Sequence, residues 1–133
     1  MSQAGLGSAG RSLSRPLSVR AVLFDLDGTL VDSAPDLTLA ANNMLNALGY
    51  TQVNCSQVKG WVGDGVRSLV RRALNAILED VPSESLIEQG YVLFQRYYAE
   101  SVYQDSTLYP GVHETLQTLN SSGLALALSL IHI

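Results

Sequence analysis

The chain predicts an α/β fold in which two parallel strands are joined by a long, all-helical crossover. Three observations carry that expectation. The apolar run AVLF (21 to 24) ends on the acidic turn DLDGT, as a strand covered on both faces of a parallel sheet would. A second apolar run, LALALSLI (124 to 131), has the same character. Between them, apolar residues recur at helical spacing, and parallel strands need a crossover of this kind because the chain must return to the same end of the sheet.

Composition bounds the answer. With 133 residues, 47% of them hydrophobic, the chain makes one ordinary domain with enough apolar surface for a core. A net charge of -4 without a dense basic stripe argues against a nucleic-acid partner held by phosphate neutralisation, and makes small molecules or proteins the expected partners. Cys55 is the sole cysteine, which excludes an internal disulfide and fits a reducing compartment; without a neighbouring His or basic cluster it reads as a buried or idle thiol. No run reaches the roughly 20 apolar residues of a membrane span. The expected location is therefore the cytoplasm, with no membrane partner.

Residues 1 to 20 carry Arg11, Arg15 and Arg20, no acid, and many Ser and Gly. They read as a disordered extension, with an organelle transit peptide as the alternative; the absence of an apolar h-region of about 7 to 15 residues argues against secretion. After the first strand, Ser33 with Asp36 three positions later resembles a capping box, and Leu37, Ala41, Met44 and Leu48 follow at helical spacing until Gly49. A Ser56-led segment then reaches GWVGDG (60 to 65), whose three glycines predict a shaped loop. Val66, Leu69, Val70, Ala73, Leu74 and Ile77 form the stripe of the next helix, with Arg67, Arg71 and Arg72 off it. Pro82 and Ser83 open another helix carrying Ile87, Tyr91, Phe94 and Tyr98 on one face. LYPG (108 to 111) is a turn, and Val112, Leu116 and Leu119 mark a short helix stopping near Gly123. Trp61 and Tyr91, Tyr97, Tyr98 and Tyr103 are expected in packing, and His113 on a solvated face.

Chemistry is expected where the first strand ends, because open parallel sheets bind ligands beyond the carboxyl ends of their strands. In extended backbone, residues i and i+2 share a face, so Asp25 and Asp27 can converge while Leu26 points into packing. Two unit charges about 4 Å apart repel by roughly 4 kcal/mol at an effective dielectric near 20. A hard divalent cation relieves this, and Mg²⁺ characteristically takes one or two carboxylates plus waters and phosphate oxygens. Protonation of one acid is the other relief, and both can operate together. Gly28 and Thr29 allow a sharp turn and can offer N–H donors and a hydroxyl to an anion. A calcium loop beginning at Asp25 fails on spacing: the sixth position is Leu30 rather than Gly and the twelfth is Asp36 rather than Glu.

FDLDGTLVDS resembles the first motif of the haloacid dehalogenase-like hydrolases, D-x-D-G-T-[LV]-x-D-S, over nearly all its length. VGDGVRSLVRRAL (62 to 74) and LYPGVHETLQTLNSSGLALAL (108 to 128) are similar to the phosphoglycolate phosphatase branch of that superfamily. The resemblance implies a Rossmann-like α/β core, incomplete here, with an inserted α-helical cap. Residues 1–20 would be the extension, 21–35 and 106–133 the partial core, and 36–105 the cap. It further implies a Mg²⁺-dependent phosphatase acting on a small phosphorylated metabolite such as 2-phosphoglycolate. Asp25 would be the nucleophile that forms an aspartyl-phosphate and a metal ligand. Asp27 would be the general acid and base, binding the metal through its backbone carbonyl. Gly28, Thr29 and the cap's GWVGDG loop with Arg67 would contact substrate; for Arg67 the competing reading is an ordinary solvated helix face.

The family's second motif places a Thr or Ser at the end of the second strand. Alignment on Gly123 and Leu126 to Leu128 puts Leu130 at that position, with Ser129 one residue early and so on the opposite face, and His132 on the tail. The lysine and acidic pair of the later motifs are not among the 133 residues. The expectation is therefore an N-terminal portion of a phosphatase, whose two strands would expose apolar surface and unpaired edges. The alternative function is an inactive fragment that pairs its strand edges with another chain.

Overall fold

A computed structural model describes residues 18–101 and 103–129. The expectations placed on residues 1–17, including the transit peptide, and on Leu130, Ile131 and His132 lie outside the described residues.

Strand β1 (Ala21–Phe24) pairs in parallel with β4 (Ala125–Leu128), in register from Ala21 opposite Ala125 to Phe24 opposite Leu128. The register extends one residue at each end: the Ala125 N–H donates to the Arg20 carbonyl at 3.1 Å and the Ser129 N–H to the Phe24 carbonyl at 2.7 Å. The expected crossover is therefore present. The expected covering of both faces is not, among the described residues: Leu23 is 67% and Leu128 48% exposed. The faces of a parallel sheet are buried by helices packed on them, and among the described residues no such layer covers Leu23 or Leu128.

Four helices make the insert: α1 (Ala34–Ala47), α2 (Cys55–Lys59), α3 (Val66–Asn75) and α4 (Glu84–Glu100). Their stripes meet as one core, in which Ala41, Met44 and Leu45 of α1, Val70 and Leu74 of α3, and Ile87 and Phe94 of α4 are buried. Each large apolar side chain so buried contributes about 1.5–3 kcal/mol before entropy is counted. The sharpest approach is at Gly90 of α4, where an added Cβ would lie 2.8 Å from Val70 Cγ1 and 3.2 Å from Met44 Sδ. Helix α1 ends in a Schellman motif, with the Tyr50 N–H donating to Leu45 O at 2.8 Å and the Gly49 N–H to Asn46 O at 3.0 Å. The short helix α2 is held by a capping box between Asn54 and Gln57, a signal that N-C-S-Q carries two residues ahead of Ser56. Cys55, at its start, is exposed rather than buried.

The chain leaves the sheet for the helices, and returns, through a two-residue antiparallel ladder of β2 (Val31–Asp32) and β3 (Thr107–Leu108), too short to register as periodicity. Here the capping box expected at Ser33 is replaced. Ser33 makes no side-chain cap, and its Oγ is buried without a partner. The fully buried Asp36 carboxylate instead accepts the backbone N–H groups of Asp105 at 2.9 Å and Ser106 at 3.1 Å, together with the Ser106 hydroxyl. Helix α5 (Val112–Ser121) returns the chain to β4, and its Val112, Leu116 and Leu119 stripe is only half-buried. No helix among the described residues is long and apolar enough to cross a membrane.

Candidate active site

The turn after β1 is closed by its own backbone. The N–H groups of Thr29, Leu30 and Val31 all donate to the Leu26 carbonyl, at 3.2, 2.9 and 3.0 Å, and the Gly28 N–H donates to Val31 O at 2.8 Å. This demands a positive φ at Gly28, +76°, a conformation that a side chain resists. The Gly28 and Thr29 N–H groups are thus engaged inside the turn. The Thr29 hydroxyl donates to Asp25 Oδ2 at 3.1 Å.

Asp25 and Asp27 are brought to one cavity of about 40 Å³, whose other walls are Leu37 of α1, the loop residues Trp61, Val62, Gly63 and Gly65, and Val66 and Leu69 of α3. By volume that is room for about one water. The acidic turn and the glycine loop are near neighbours: a Cβ on Gly28 would stand 3.8 Å from Val62 Cγ1. Trp61 therefore has a wall to form as well as a core to pack against. Tyr98 of α4 is pushed up to about 12, by burial first and then by the negative charge of Asp27, so the phenol stays protonated beside the acids. Tyr103, expected in packing, is instead 65% exposed at a positive φ, and His113 is solvated as expected.

Arg67 does not line the cavity. Its guanidinium reaches Glu84 at 3.2 Å and Glu88 on the exposed face of α3 and α4, and these carboxylates hold it further above its usual range, Glu88 first. Its place is that of the solvated helix face. The arginine that does reach the loop is Arg72, which donates to the Trp61 carbonyl at 3.1 Å and pairs with Asp64. Sequence reasoning grouped it with Arg67 and Arg71 as off-stripe, because the carbonyl it binds leaves no mark in the letters. Lys59 bonds Asp32 at 2.8 Å and lies 5.7 Å from the centre of the Tyr109 ring; the Asp32 bond is the main cause that raises its pKa.

The donor set suits a hard cation. Among the described residues no group of three or more His, Cys, Asp or Glu gathers, but Mg²⁺ requires only one or two carboxylates, with water and phosphate oxygens completing its shell.

A parallel strand pair split by a helical insert, with twin acids at the first strand's carboxyl end, defines a Rossmann-like α/β core carrying an inserted cap. The chain belongs to the haloacid dehalogenase-like hydrolase family, whose model matches residues 22–129. It is 41% identical over 112 residues to a phosphoglycolate phosphatase of Nitrosospira multiformis, covering 84% of this chain and 49% of that one. It is 46% identical over 113 residues to a phosphoglycolate phosphatase of Vibrio parahaemolyticus, covering 83% and 49%. The crystal structure of a predicted phosphoglycolate phosphatase from Haemophilus somnus superposes with a TM-score of 0.75 at 36% identity, covering 83% of this chain and 50% of that one. The chain thus spans about half the length of the relatives it matches.

Proposed function

We propose that this chain carries the nucleophile and the proton-transfer group of a phosphatase acting on a small phosphate monoester of the 2-phosphoglycolate kind. The observation that supports this most is the convergence of Asp25 and Asp27 on one small cavity under the glycine loop. Asp25 attacks phosphorus, forming an aspartyl-phosphate, while Asp27 gives its proton to the departing alkoxide. Asp27 then takes a proton from water as that water attacks phosphorus, which releases phosphate and restores the Asp25 carboxylate. The Thr29 hydroxyl holds Asp25 Oδ2 and leaves Oδ1 to attack. Mg²⁺ held by Asp25 and Asp27 would neutralise charge on the phosphoryl oxygens. Residues 36–105 act as the cap and 21–35 with 106–129 as core, a division that fits the helical core lying wholly between Leu37 and Phe94.

Phosphate release from 2-phosphoglycolate with Mg²⁺ tests the reading. Asp25→Asn is expected to lower it by about three orders of magnitude or more, and chelation of the metal to abolish it. Release by the native chain no faster than by Asp25→Asn overturns the reading.

A second reading has its own observation. Phe24, Leu26, Leu30, Leu108, Leu116 and Leu128 line an apolar groove of about 540 Å³ beside a sheet of two strands among the described residues. Exposed apolar surface and strand edges of this kind suit pairing with another chain, in which case these residues serve as one part of an assembly. A cooperatively unfolding monomer in sedimentation and calorimetry counts against it.

A further inference from the structure

The 60–65 loop forms much of the cavity wall, and its backbone bonds lie at its start, where the Gly60 N–H donates to Gln57 O at 3.1 Å and the Trp61 N–H to Val58 O at 2.8 Å. Gly63 and Gly65 sit at φ +114° and +83°, and an added Cβ on Gly63 would meet nothing within 4 Å. Val62 packs against the helical core, but Gly63 and Asp64 beyond it are exposed, so packing does not hold those two residues. One side chain spans it: Arg72, a turn and a half along α3, donates through Nη1 to the Trp61 carbonyl at 3.1 Å and through Nη2 to the Asp64 carboxylate. The neighbouring Arg67 and Arg71 are turned instead to Glu84 and Glu88 of α4.

We propose that Arg72 is a positioning residue that staples both halves of the 60–65 loop to α3 and so shapes the wall facing Asp25 and Asp27. Its value to catalysis rests on the phosphatase reading above; its effect on the loop does not. A planar guanidinium can hold a carbonyl and a carboxylate together, whereas a lysine ammonium on a flexible stem holds one at a time in this geometry.

Trp61 is the chain's only tryptophan, so its fluorescence reports the loop directly. In the full chain, Arg72→Ala is expected to raise acrylamide quenching of Trp61 at least about two-fold, as local opening becomes easier. Arg72→Lys should not restore the native value, Asp64→Asn should give a smaller rise, and Arg71→Ala should leave quenching unchanged. Thermal unfolding of each variant identifies any that fail to fold, and Asp64→Asn then carries the test because it leaves the Trp61 bond in place. Native quenching in folded Arg72→Ala, native quenching in Arg72→Lys, or an equal rise in Arg71→Ala overturns the proposal. Where phosphate release is measurable, Arg72→Ala should raise KM several-fold more than it lowers kcat. A changed Trp61 signal without phosphate release from any chain supports the staple and rejects the phosphatase, while release with an unchanged signal does the reverse.

Discussion

Asp25 and Asp27 are separated by one residue at the end of a strand, and that spacing alone foretold that they could share a face. The structure brings both to one cavity, and the glycine that follows has the positive φ that the turn requires. Gly28→Ala should therefore cost about 1–2 kcal/mol from backbone strain, since the space for a methyl exists against Val62 at 3.8 Å. Chemical denaturation measures this, and an unchanged midpoint would mean that the turn relaxes out of its left-handed conformation. Arg67 and Arg72 show the limit of such reading. Both lie off the apolar stripe of α3, and the choice between facing α4 and facing the loop depends on which partner is within reach in space.

Helices were legible because their cores were periodic; the devices joining them were less so. Asp36 looked like a partner for Ser33 in a capping box, yet its carboxylate is drawn to residues 105 and 106, about seventy positions away in sequence. A local pair lost to a longer-range one with three donors. Burial by itself would raise the Asp36 pKa, but the Ser106 hydroxyl and then the backbone bonds outweigh it, so the carboxyl sits below its ordinary 3.8. A lowered folded value means that the unfolded chain takes up the proton first on acidification. The stabilisation is therefore complete above 3.8 and disappears as pH falls through the folded value below it. Asp36→Asn should cost about 2 kcal/mol at neutral pH and flatten the acid limb of a stability–pH curve; an identical limb in the variant would rule out this role. At Gly90→Ala, the added methyl must displace Val70 and Met44, and over-packing of that kind costs about 1–3 kcal/mol. A thermal melt of the variant should show the loss, while Gly49→Ala would report only on the helix end.

Burial across the molecule is uneven. The core cluster runs from Leu37 to Phe94, inside the helical insert, whereas β1, β4 and α5 leave apolar surface open. Leu23→Lys should change stability by no more than about 0.5 kcal/mol and reduce self-association in concentration-dependent sedimentation. An unchanged association would show that this sheet face is not the sticky surface. The letters were enough for the parallel strand pair, the helical crossover, the helix boundaries at Ser83, Gly49 and Gly123, and the twin acids, because apolar runs, period and turn chemistry are local and leave local marks. Which groups meet across the fold was settled by packing: the β2–β3 ladder, Asp36 on the returning chain, Arg72 on the loop, Val62 beside Gly28. Such partnerships join residues distant in sequence, and their selection depends on burial and reach, which no short stretch of chain encodes.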